Sequence, residues 1–211
     1  MLVTELIGAR DRASRRLMIV LHGLGDSMEG YRWLPDQLGV PWLNYLLVNA
    51  PDDYYGGYSW YDIYGDAEPG IRRSRELLNR LLDDQRSAGF ASDQTLLFGF
   101  SQGCLMTLET GLRYPHRLAG LVGISGYVHD APTLLAERPA LLPGQRVLMT
   151  HGTQDPLIPI AQVRAQVKQL VAGGVNLEWK EFDKVHTIEG ERELAVIRRF
   201  IEAGFPEETG K

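Results

Sequence analysis

One cysteine, Cys104, is all that 211 residues contain. That excludes an intramolecular disulfide framework and any multi-cysteine zinc or iron–sulfur centre, and it fits a reducing compartment. Long apolar runs are missing as well. Stretches such as Leu17–Leu21 are strand-sized, far below the ~18 residues that a membrane-spanning helix needs. Met1–Glu5 has neither the basic segment nor the apolar stretch of a signal peptide, so the expected compartment is the cytoplasm. Positive charge is in deficit, with 22 Lys and Arg against 27 Asp and Glu and a net charge of −5. Nucleic acid and anionic membrane surfaces, which call for clustered cations, are therefore not expected partners. The one dense basic patch, Arg10, Arg12, Arg15 and Arg16, precedes an apolar run and reads as a solvated turn. No repeat, low-complexity tract or linker interrupts the chain, and residues 1–211 are expected to form a single domain.

Short apolar runs alternate with longer amphipathic ones. Strand patterns fall at Leu17–Leu21, Tyr45–Val48, Thr95–Phe100, Leu118–Ile124 and Arg146–Thr150. A last one, Asn176–Phe182, alternates in the way of an edge strand. Between them, Ile71, Leu77, Leu78, Leu81 and Leu82 share one helix face. Ile160, Val163, Val167, Leu170 and Val171 share another, stopped by Gly173-Gly174, and Leu194, Ile197, Phe200 and Ile201 a third. Apolar strands alternating with helices call for an α/β fold, a mostly parallel central sheet with helices on both faces. Three segments break the rhythm: the glycine-rich residues 22–30, the aromatic residues 51–64 and the Pro- and Gly-interrupted residues 125–145. Ligands bind beyond the carboxyl ends of strands in such sheets, and these loops are where a site is expected.

Gly99-Phe100-Ser101-Gln102-Gly103 fits G-x-S-x-G at the junction of a six-residue apolar strand and a helical stretch. That placement is what a nucleophile elbow requires, because a sharp strand-to-helix turn lifts the serine hydroxyl into the open. A serine hydroxyl also needs a base and an orienting carboxylate, in the chain order Ser, Asp or Glu, His. Of the later histidines, His116 reads as a surface residue at a helix end, and His129 has no later-strand acid before it. His151 sits at a strand end and reads as structural; His186, in the loop after the last strand, has the required position. Asp155, just past a strand end and before Pro156, is the candidate acid, with Asp183 as its competitor. An oxyanion calls for two donors: the Gln102 amide, and a second from the turn His22–Asp26. The residues Trp60 and Tyr61 are expected to wall an apolar acyl site. Cys104 is expected to pack toward the sheet as a small apolar side chain. No G-x-G-x-x-G or Walker pattern supports a nucleotide site.

Taken in order, several stretches resemble the carboxylesterase / acyl-protein thioesterase (phospholipase/carboxylesterase) family of α/β-hydrolases. They are Leu21–Asp26, Ala50-Pro51 leading to Ser59–Ile63, Gly70-Ile71, Gly99–Gly103, His151-Gly152 through Asp155-Pro156 to Ile158-Pro159, and His186. The resemblance implies an α/β-hydrolase fold without a large cap domain and a catalytic triad of Ser101, Asp155 and His186. It also implies an oxyanion hole from the amides of Leu24 and Gln102. The implied activity is a serine hydrolase cleaving carboxylic esters or thioesters, with no cofactor and no metal. Lysophospholipase or protein S-deacylase activity is the alternative within the family, and a non-catalytic binding module the alternative outside it. The expected partner is a small ester, thioester or acylated substrate, and a homodimer is allowed for. Val185 stands before His186 where the family more usually has glycine or methionine, and the connection from Asp62 to Gly70 looks trimmed.

Overall fold

The computed structural model describes residues 1–139 and 144–205. Its centre is a seven-stranded sheet built from β1 (Thr4–Ile7), β2 (Arg16–Leu21), β3 (Leu43–Val48), β6 (Thr95–Phe100), β7 (Gly120–Ile124), β8 (Arg146–Gly152) and β9 (Asn176–Phe182). The spatial order is β1-β3-β2-β6-β7-β8-β9. Only β1 runs antiparallel, against β3; every other neighbouring pair is parallel. A separate hairpin is formed by β4 (Asp52–Tyr54) and β5 (Gly57–Ser59). The helices are α1 (Leu34–Leu38), α2 (Ala67–Ser87), α3 (Gln102–Gly111), α4 (Ala131–Glu137), α5 (Ile160–Ala172) and α6 (Glu191–Gly204).

Alternation along the strands divides the core in two. Leu17, Ile19 and Leu21 of β2 join a cluster with Leu78 and Leu82 of α2, Leu105 and Leu108 of α3, Leu134 of α4, and Val163 and Leu170 of α5. Met18 and Val20 point the other way, into a cluster with Leu34 and Leu38 of α1 and Leu194, Ile197 and Ile201 of α6. Both faces are covered, so the inner strands have to be apolar at nearly every position; five of six β2 residues and all of β3 are buried. β9 lies at the sheet edge and is half-buried. The fold is that of an α/β-hydrolase, with the carboxyl ends of the parallel strands along one edge.

Some elements depart from expectation. β1, α1, α4 and the β4–β5 hairpin are additional, all of them short. The segment 125–145 was expected as an irregular excursion. It contains α4, started by the Asp130 carboxylate accepting the Thr133 amide; residues 140–143 of that segment lie outside the described residues. Val171, placed on one helix face with Val163, Val167 and Leu170, is exposed while those three are buried. Gly70, one of the residues that carry the family resemblance, sits in the first turn of α2, where an added Cβ would strike Tyr61.

Candidate active site

Three strand ends converge. Ser101 joins β6 to α3, Asp155 lies just past β8, and His186 lies in the loop between β9 and α6. Ser101 takes φ 55° and ψ −116°, a conformation that L residues avoid. The flanking glycines explain how the chain turns there. An added Cβ on Gly99 would collide with the Gly103 carbonyl, and one on Gly103 with the Leu21 carbonyl of the neighbouring strand. The Ser101 amide is anchored on Ile124 O at 2.9 Å, at the end of β7.

His186 Nε2 stands 2.9 Å from Ser101 Oγ, and His186 Nδ1 stands 2.7 Å from Asp155 Oδ2. The other carboxylate oxygen, Oδ1, accepts the amides of Leu157 and Ile158, each at 2.9 Å. Burial pushes the Asp155 carboxyl up, but those two amides and the imidazole outweigh it and hold the group below the usual carboxylate range. Because Oδ2 can only accept, Nδ1 carries the proton toward it, leaving Nε2 free to accept from the serine hydroxyl. The competitor Asp183 faces away, taking up the Gln154 side chain at 2.6 Å. His151 is wholly buried, with Nε2 2.9 Å from Ile158 O and 3.5 Å from Asp155 Oδ2. It lies behind the acid, which accords with the structural part expected of it.

Beside the serine opens a cavity of about 500 Å³. Leu24, Ile63, Phe100, Leu157 and Ile158 supply apolar wall, while Ser101, Gln102 and His186 meet it at one end of the chemistry. Leu24 and Gln102 both line it, and among the described residues neither backbone N–H finds a protein acceptor. Gln102 is the first residue of α3, where the amide has no intrahelical partner in any case. The turn carrying Leu24 is braced from two sides. The hairpin contributes Tyr58, whose carbonyl accepts the Gly25 amide and whose amide donates to Asp26 O, both at 2.9 Å. Buried His22 is oriented by Gly23 O at Nδ1 (2.6 Å), so its Nε2 accepts the Ala50 amide at 3.0 Å.

Tyr61 lines the cavity, its hydroxyl 3.1 Å from that of Tyr127. Trp60 does not. It is 0% exposed, its indole N–H donates to His22 O at 2.9 Å, and it packs under the site rather than walling it. Both aromatics lie in the same core cluster, 0% and 1% exposed, and of the two Tyr61 alone reaches the cavity. The Gln102 side chain, which no motif flags, ties these parts together: Oε1 accepts the Trp60 amide at 3.0 Å, and Nε2 donates to Tyr61 O at 2.9 Å. Cys104 is buried with its sulfur against Gly123 and Gly126, and burial pushes its thiol up to about 12. It takes no part in the cavity.

Known proteins share both the sequence and the fold of this chain. The phospholipase/carboxylesterase family matches residues 3–204. Acyl-protein thioesterase 1 of Schizosaccharomyces pombe is 34% identical over 202 residues, covering 86% of this chain and 88% of that protein. Acyl-protein thioesterase 1 of Kluyveromyces lactis is 30% identical over 175 residues, 73% of this chain and 75% of that one. Among solved structures, esterase PE8 superposes with a TM-score of 0.84 at 27% identity, covering 97% of this chain and 99% of its own. With a match from end to end of the sheet, an elbow serine at its centre and thioesterases among its relatives, this chain belongs to the phospholipase/carboxylesterase family of α/β-hydrolases.

Proposed function

We propose that the protein is a cofactor-free serine hydrolase that cleaves carboxylic esters or thioesters of short to medium acyl chains, with Ser101, His186 and Asp155 as its catalytic triad. The observation that carries this reading is the run of hydrogen-bond distances from Ser101 Oγ through His186 to Asp155, 2.9 and 2.7 Å, at the edge of an apolar cavity. Ser101 Oγ attacks the acyl carbon while His186 Nε2 takes its proton. Asp155 holds the imidazole in the tautomer that can do so and stabilises the imidazolium. Negative charge that develops on the carbonyl oxygen is met by the amides of Leu24 and Gln102, two residues that line the cavity with Ser101. The imidazolium then protonates the departing alkoxide or thiolate. Water, deprotonated by the same nitrogen, releases the acid from Ser101.

A cavity of about 500 Å³ lies within the roughly 300–1,000 Å³ range of small-ligand sites. Its mostly apolar lining supports an acyl chain as occupant. The thioesterase relatives support a thioester leaving group, so S-acylated protein is the favoured physiological class within this reading. One domain, residues 1–211, and a cytoplasmic setting complete the proposal.

Ser101→Ala is expected to abolish turnover of p-nitrophenyl esters and of a matched acyl thioester. Residual acceleration should be no more than about 10³–10⁴ over water, from binding and the oxyanion donors. Fluorophosphonate labelling should vanish with it. Labelling that persists in the alanine variant would place the nucleophile elsewhere.

A further inference from the structure

In the segment that carries His186, the imidazole packs on Phe100 and Ile188 is half-buried against the core, but the residues on either side of the base are exposed. Val185 is 51% exposed, and Thr187 is exposed on the other side of the base. Exposed loops of this kind open readily, yet a general base has to stay within hydrogen-bond reach of its serine. A buried ion pair ties the same loop to α6. Lys184 Nζ donates to Glu193 Oε1 at 2.6 Å and Oε2 at 2.8 Å, with the two side chains 2% and 0% exposed. It also donates to the Thr187 carbonyl at 2.8 Å. Glu193, in the first turn of α6, accepts the Glu189 amide at 2.6 Å. The Lys184 carbonyl in turn accepts the Gln154 amide at 3.1 Å, next to Asp155.

Resting on the triad proposed above, we infer that the Lys184–Glu193 pair is the positioning element that holds His186 between Ser101 and Asp155. One ammonium reaches around the base. Its own backbone lies on the amino-terminal side of His186, its proton holds a carbonyl on the carboxyl-terminal side, and Glu193 fixes the chain further on. The segment 184–189 is thus folded about a charged centre anchored to α6. Three donors on the ammonium meet three acceptors, so none is left over. Stability alone is a poor account of the arrangement, since burying two charges costs about as much as their attraction returns, and apolar residues of similar size commonly do as well. What apolar residues cannot supply is a directed bond to the Thr187 carbonyl and to the Glu189 amide.

The test compares Lys184→Met, Glu193→Gln and the double variant Lys184→Met/Glu193→Met. Expected for Lys184→Met is a kcat lowered about 10- to 100-fold, the scale of a misplacement near 1 Å, with KM changed by less than about twofold. The downfield proton resonance of the His186–Asp155 hydrogen bond should weaken or broaden in the same variant. In the double variant the thermal midpoint should return toward wild type, while kcat and the proton resonance stay impaired. Recovery of kcat together with the midpoint would reduce the pair to a structural role and overturn the inference. So would wild-type kcat in Lys184→Met. Should Lys184→Met fail to fold, Glu193→Gln, which keeps one acceptor for the ammonium, and the double variant carry the same comparison. Ser101→Ala, run in parallel, separates the two layers: turnover surviving there sinks the triad itself, whereas turnover lost there and unchanged in the Lys184 variants sinks only the positioning claim.

Discussion

Asp155 is ionised at the cost of being buried, and it keeps its charge because two amides and an imidazole point at it. Its carboxyl is held below the ordinary range in the folded chain, so the unfolded chain binds the extra proton first. Its contribution to stability is therefore complete above the unfolded value of about 3.9 and is lost as the pH falls through the lower, folded value. In urea unfolding between pH 7 and pH 3, Asp155→Asn should be less stable than wild type at neutral pH, and the gap should narrow below about pH 4. A gap that stays constant to pH 3 would mean the carboxylate's charge is not stabilised by its neighbours. At this scale the sequence was most informative. Ser101, Asp155 and His186 could be selected because a nucleophile elbow, a strand-end acid and a histidine after the last strand each have a fixed address in the chain. Trp60 could not be separated from Tyr61, because nothing local says which of two adjacent buried aromatics reaches the cavity.

Gln102 shows how one element fixes another. From the start of α3 its side chain reaches the segment after β5, where it accepts the Trp60 amide and donates to the Tyr61 carbonyl. Gln102→Leu would leave the buried Trp60 amide without an acceptor, a cost of about 1–3 kcal/mol, or roughly 2–4 °C of midpoint for each kcal/mol in a chain of this size. Because Tyr61 lines the cavity, KM should rise in the same variant. A thermal scan with wild-type midpoint would show that the tether carries no load. The elements visible beforehand were the ones with both sheet faces covered, since only those must be apolar throughout. The four residues of β1 alternate exposed and half-buried positions, and the hairpin depends on positive φ at Tyr55 and Gly56, which an aromatic run does not advertise. The ion pair behind His186 was invisible for a further reason. Lys184 and Glu193 are ordinary surface residue types, and only the docking of α6 makes them interior.

Over the whole molecule the balance of charge is negative, −5, and Asp26 shares the cavity lining with Ser101. Low ionic strength should let this field favour cationic substrates. Two esters matched in acyl chain, one with a quaternary ammonium and one with a sulfonate on the leaving group, should differ in kcat/KM at low salt. Their ratio should fall toward one as salt approaches about 1 M, where screening extends only some 3 Å. Equal values at low salt would count against steering. The placement of the reacting groups also has a bearing on biosynthesis. Ser101 and His186 stand 85 positions apart in the chain, joined through β7, β8 and β9, which lie side by side in the sheet. A ribosome delivers the serine's strand long before the histidine's loop, at roughly 5–20 residues per second. During that interval the growing chain holds a hydroxyl with no base, and it is unable to attack the acyl groups around it. Hydrolytic competence arrives with the last strand and helix, so the appearance of activity on a translating chain would time the completion of the fold.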